Sequence, residues 1–178
     1  MTPLSPARKQ FVLHWGEQGA RWGINRTVAQ IHALLHVSPN PLTAEEIAST
    51  LSVARSNVST SVRELQGWGL VRAVPVFGER RQRFESVKDV WEMFRIILDQ
   101  RKKREIDPTL EVLKLCLAEA KDDHADRYTR ERLNELIEFF TEVEMLYNDI
   151  RSLPLSTLRS AVKARGAVRK LMGRKAGG

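Results

Sequence analysis

Apolar positions between Ser5 and Val37 recur at three- and four-residue intervals, first through Phe11 and Trp15 and then through Ile24, Val28, Ile31 and Leu35. That period predicts helix. Between the two runs lies GEQGARWG, whose Gly16, Gly19 and Gly23 predict a break or bend. Pro39 and Pro41 close the region. Thr43 followed by Glu46 has capping-box spacing, so a short helix with Ile47, Ala48 and Leu51 inward is expected to start there. After a tight turn at Ser52 and Val53, a second helix would bury Val58, Val62 and Leu65, an i, i+4, i+7 stripe.

The period then changes. Leu70 to Val76 and Gln82 to Val87 read as two short strands around a turn at Gly78, and Pro75 favours an edge position. Helical spacing returns with Trp91, Phe94 and Leu98, crosses the charged run RKKRE and reaches Asp107-Pro108, which could start a new helix or kink a long one. Leu133, Leu136, Phe140, Val143, Tyr147 and Ile150 alternate three and four apart, the mark of a coiled-coil-like seam. The run is short, so a dimer seam and packing within one chain remain equal readings. A last amphipathic segment runs from Leu155 to about Met172. The expected class is mainly α with a small β-hairpin.

The helix from about Arg55 to Trp68 contains many Ser, Asn and Thr residues, which are mediocre helix formers that compete for backbone hydrogen bonds. Its position explains them. Two short helices, a tight turn and a basic hairpin follow the order of a winged helix-turn-helix unit, whose second helix enters the major groove of DNA. Opposite the stripe of Val58, Val62 and Leu65 lie Ser56, Thr60 and Arg63, flanked by Asn57 and Ser59. These side chains can reach base edges, and Arg55 at the amino end suits a phosphate. The hairpin places Arg80, Arg81 and Arg83 at the expected wing tip, where positive charge would neutralise phosphates or enter the minor groove. Gly67 and Gly69 would permit the exit from helix to wing, with Trp68 beneath it.

Charge sharpens this picture through its distribution. Of 29 basic residues seven lie between Arg159 and Gly178, where none is acidic, which leaves 22 basic against 22 acidic residues in the rest. The basic face is therefore local to the helix and wing, with a basic tail of mixed expected role. No apolar run approaches the ~20 residues needed to span a bilayer, and the first residues lack a secretory pattern, so no membrane partner and a cytoplasmic location are expected. Cys116 is the only cysteine and reads as a small buried apolar residue.

The stretches RSNVSTSVRELQGWGLVR, GERRQRFE, KDVWEMFR and REIDPTLEVL, with GINRTVAQIHALLHVSPNPLTAEEIASTL before them, resemble the GbsR/MarR-type family of winged-helix transcriptional regulators over about residues 8 to 120. The resemblance implies a homodimer on a pseudo-palindromic operator, with terminal helices at the dimer interface. It also implies that some members respond to choline-like effectors. Ala54 departs from the family pattern, in which a Ser often caps the recognition helix; losing that cap costs about 1 kcal/mol unless Ser52 or another group substitutes.

Other candidates carry less. His32 and His36 have the i, i+4 spacing of a metal pair, but no carboxylate or thiol completes a set, and no metal or cofactor is expected. Trp15, Trp22, Trp91 and Phe94 could contribute to a small-molecule effector pocket or an aromatic cage, although at helical spacing they read first as core. No catalytic constellation stands out, so an enzyme is not expected. The sequence reads as a winged helix-turn-helix DNA-binding domain over residues 1–88 and a helical dimerisation region over 89–178. Together they make a sequence-specific transcriptional regulator, with repression the expected mode. A non-specific architectural DNA binder, or an interaction module whose helix-turn-helix no longer reads DNA, are the alternatives.

Overall fold

The computed structural model describes residues 4–120 and 126–164. The chain divides into two compact units, up to Ile96 and from Ile97 onward. In order they contain α1 (Pro6–Arg21), α2 (Arg26–Val37), β1 (Leu42–Thr43), α3 (Ala44–Leu51), α4 (Arg55–Trp68), β2 (Val71–Val74), β3 (Arg83–Ser86), α5 (Val90–Arg101), a π-helical segment (Lys102–Ile106), α6 (Asp107–Glu119) and α7 (Arg127–Ser152). Residues 155–164 are again helical. Most of the basic tail, and the far end of its expected amphipathic segment, lie outside the described residues. No described helix is long and apolar enough to cross a membrane.

The first unit is organised around α2. Its Val28, Ala29, Ile31, His32, Ala33, Leu34 and Leu35 are all buried, so the helix is enclosed on nearly every side. Asn25 starts it by accepting hydrogen bonds from the Thr27 and Val28 amides. Against it packs α1, and here the expected role of the glycines changes. Only Gly23, with φ 75°, breaks the chain. Gly16 and Gly19 lie inside α1, where an added Cβ would come within 2.5 Å of the Gln30 side chain and 2.4 Å of the Ala29 Cβ. They mark the close approach of two helices.

On the other side of α2, Thr43 and Glu46 form the expected capping box at the start of α3, and Ile47 is fully buried. Ser52, with φ 54°, turns the chain in the left-handed region. The buried stripe of α4 is Val58, Val62 and Leu65, joined by Ser61. Burying each apolar side chain contributes about 1.5–3 kcal/mol, which offsets the weak propensity of the outer face. Gly69 alone, with φ 82°, makes the exit; Gly67 is helical. The strands are shorter than expected, and the sheet has a third member, with order β1-β3-β2 and both pairings antiparallel. Pro75 lies just past β2, an edge strand.

In the second unit, Asp107 is helical rather than a cap, and the π-helical turn carries the chain from α5 into α6. α7 runs antiparallel to this assembly. Tyr147 donates its hydroxyl to Asp99, Arg151 bonds the same carboxylate at 3.0 Å, and Lys102 bridges Asp107 (2.6 Å) and Glu144 (2.7 Å). These paired carboxylates push Lys102 up to about 12. The half-buried row of α7 is Leu133, Ile137, Phe140, Val143, Tyr147 and Ile150. Leu136, expected in the seam, faces out at 45% exposure, and Ile137 is half-buried instead, because the row is set by the packing of α7 against α6 of the same chain. Cys116, expected to be buried, is exposed on α6.

Candidate DNA-binding surface

Ser56, Asn57, Ser59, Thr60 and Arg63 are all exposed on α4, opposite its buried stripe. Arg55 is exposed too and pairs with Glu45 of α3 at 3.0 Å. Asn57 and Thr60 line a cleft of about 230 Å³ with Ser61 and Glu64 of α4 and Asn25, Thr27 and Val28 of α2. Glu64, Asn25 and Thr27 were not among the residues expected here. Periodicity ranks positions within one helix and is silent about what a neighbouring helix end brings beside it.

The amino end of α4 is uncapped. Ala54 adopts the extended conformation typical of an N-cap (φ −62°, ψ 142°), yet no side chain accepts from the first turn. Ser52 does not substitute, since it closes α3. The free amides of that first turn point outward from the helix start, where anions are favoured.

The wing separates its three arginines. Arg80 and Arg81 are exposed and form no ion pair with any described residue. Arg83, expected at the tip, lies half-buried on β3. Its Nε and Nη2 donate to the two carboxylate oxygens of Glu79 at 2.7 and 3.1 Å, and its Nη1 donates to the Pro41 carbonyl at 3.1 Å and to Glu46 at 3.3 Å. Glu46 also accepts from the Thr43 amide in the capping box. Arg83 thus ties the wing root to the start of α3. The hydrogen bond from Arg83 holds the Glu79 carboxyl below its ordinary range and raises the guanidinium in turn. A strand position bordered by two carboxylates distinguishes this arginine from its neighbours, which composition alone could not do.

At the extreme of the wing the Glu79 amide donates to the Val76 carbonyl at 3.1 Å, and Gly78 has φ 79°. Positive φ at the third position is the requirement of a type II turn. Phe77 sits at the second position and is fully exposed, at 107% of its reference area.

Where the wing returns to the core, Lys88 donates to the carbonyls of Leu35 (2.6 Å), His36 (3.1 Å) and Ser38 (2.8 Å), closing the carboxyl end of α2. His36 Nδ1 lies 3.3 Å from Ser86 Oγ and 3.2 Å from the Val87 carbonyl. His32 is buried with its Nε2 unpartnered, and burial, followed by the nearby His36 and Lys88, lowers its pKa from 6.5 to about 4. The nearby Lys88 ammonium disfavours a further positive charge at His32. Among the described residues no three His, Cys, Asp or Glu are grouped as ligands.

The four aromatic candidates are not core as expected. Trp15 stacks with Phe11 at 5.4 Å and Trp91 is half-buried, while Trp22 and Phe94 are 52% and 45% exposed.

The MarR family model matches residues 22–82, from the turn before α2 to the wing. No curated protein matches the chain. Among solved structures, one described as a transcriptional regulator is similar over 82% of this chain and 96% of its own, with 22% identity and a TM-score of 0.63, which shows a shared fold. A mutant of S. aureus MepR bound to an oligodeoxyribonucleotide aligns at 13% identity and a TM-score of 0.39, over 74% of this chain and 88% of its own. A MarR family transcription regulator aligns at 19% identity and 0.39, over 79% and 87%.

Proposed function

From the match of residues 22–82 to the MarR family model and the winged-helix order of the elements, we propose that this chain is a DNA-binding regulator that recognises a specific double-stranded operator and represses transcription as a homodimer. The observation that carries the reading is the two-sidedness of α4: Ser56, Asn57, Ser59, Thr60 and Arg63 outside, Val58, Val62 and Leu65 inside, with Arg80 and Arg81 on the same compact unit. In this reading α4 lies in the major groove, where Asn57 suits adenine, Arg63 guanine or phosphate, and the hydroxyls either. Arg55 exchanges Glu45 for a phosphate. The wing arginines take the flanking backbone or minor groove.

Residues 89–178 supply dimerisation. Support comes from apolar side chains left exposed in the second unit, namely Val112 and Leu115 on α6 and Leu136, Phe139 and Leu146 on α7, beside the half-buried row that α7 uses within its own chain. Exposed aromatics of the first unit, Trp22 and Phe94, would be where a choline-like effector is sought.

Selection of bound sequences from random duplexes, followed by titration of the recovered duplex against a scrambled one at ~150 mM salt, tests the reading. A specificity ratio of ~10³ or more is expected. A ratio near one refutes sequence-specific regulation. Recovered sites built from one half-site, with no twofold partner a helical turn away, refute the dimer.

A further inference from the structure

We propose that Phe77 is a wedge that enters the minor groove of the bound duplex and partly unstacks one base step beside the sequence read by α4. This deepens the DNA-binding reading above and rests on it. Burying a phenylalanine stabilises a fold, and here, with the ring fully exposed, that gain is forgone entirely. The ring projects from the corner of a tight turn, fixed by the Glu79 to Val76 hydrogen bond and by Gly78, while Val76 beside it is also 41% exposed. The Phe77 ring contributes nothing to the core.

The surroundings identify the occupant. Arg80 and Arg81 follow within the same loop with no ion pair to a described residue, and Glu79, which also feels the charge of Arg81, is hydrogen-bonded by Arg83. The tip therefore presents an apolar point on a positively charged base, which matches a polyanion with an apolar interior. Duplex DNA has that character, with phosphates outside and stacked bases inside. Apolar side chains inserted between base steps from the minor groove kink the helix toward the major groove. Such a wedge must be held firmly, and the ties from Arg83 to Glu79, Pro41 and Glu46 anchor the loop at its root. A pyrimidine–purine step, the easiest to unstack, is the expected target.

The test uses the full chain and the duplex recovered by selection, with 2-aminopurine placed at successive flanking positions. Wild-type binding should raise fluorescence severalfold at one step per half-site. Phe77→Ala should abolish that rise and weaken binding about tenfold, roughly 1.4 kcal/mol, with an unchanged melting curve because the ring touches nothing in the fold. Phe77→Leu, which keeps an apolar wedge, should retain most of the rise. The proposal is overturned if wild type gives no fluorescence change, or if Phe77→Ala binds and reports like wild type; specific binding would then stand with the wedge removed from it. If wild type does not discriminate selected from scrambled duplex, the regulator reading itself fails. Self-association of DNA-free protein that Phe77→Ala abolishes in sedimentation would reassign the ring to a contact between copies.

Discussion

The uncapped start of α4 makes stability and DNA binding separable by one side chain. Ala54 already has the extended backbone that an N-cap needs, and the first turn contains no acidic residue. In Ala54→Ser the hydroxyl can accept from the Asn57 amide without moving the backbone. The expected gain is about 1 kcal/mol. For a chain of this length it raises the melting temperature by about 2–4 °C, whereas Ala54→Val, equally exposed but unable to accept, should shift it by less than about half as much. Ala54→Asp adds the favourable interaction of a carboxylate with the helix dipole, about 0.3–1 kcal/mol, and should melt at least as high as the serine variant. In DNA binding the order reverses. If these amides meet a DNA phosphate, as proposed above, a carboxylate beside them competes with the ligand and repels it, so Ala54→Asp should bind all duplexes more weakly. Circular dichroism melts and anisotropy titrations on the same preparations measure both effects. A serine variant no more stable than the valine one refutes the capping argument. An aspartate variant that binds DNA like wild type removes the amino end of α4 from the phosphate contact.

Gly19→Ala is expected to destabilise the chain by about 1–3 kcal/mol, against the usual preference for Ala in helices, because the new methyl meets the Ala29 Cβ at 2.4 Å. Adding Ala29→Gly should recover much of the loss in urea denaturation, and no recovery would place the cause elsewhere. Folding depresses the His32 pKa, so the associated stability is complete above the unfolded value of 6.5 and is lost as pH falls towards about 4. That loss is on the order of 3 kcal/mol, and in His32→Leu the urea midpoint should vary less across the window. An equal slope in both proteins would mean that other groups carry the acid sensitivity.

The inner face of α4 was legible because burial follows a 3.6-residue period, and Val58, Val62 and Leu65 have no competing role. Thr43 and Glu46 were legible because a capping box is local. The failures share a different cause, dependence on neighbours distant in sequence. Gly16 and Gly19 have the composition of a bend, but α2 lies against them. Leu42 and Thr43 form a strand only because β3, some forty residues later, offers an edge. The π-helical turn shifts the helical phase after Arg101, so spacing from Trp91, Phe94 and Leu98 could not be extended through it. At the wing the sequence ranked arginines by charge. It did not separate the inward Arg83 from Arg80 and Arg81, and it passed over Phe77, whose significance lies in having nothing against it.

The ties made by Arg83 have a consequence for what the protein can measure. Bonds from Arg83 to Pro41 and to the capping box of α3 oppose a swing of the hairpin against the helix-turn-helix. The two parts behave as the jaws of a caliper set to one opening. On the DNA-binding reading proposed above, duplexes whose groove spacing or twist departs from that opening would have to deform to fit, at a cost set by the stiffness of bases that no side chain touches. Arg83, though it need not contact DNA, would then help determine which spacer sequences are accepted between the two grooves.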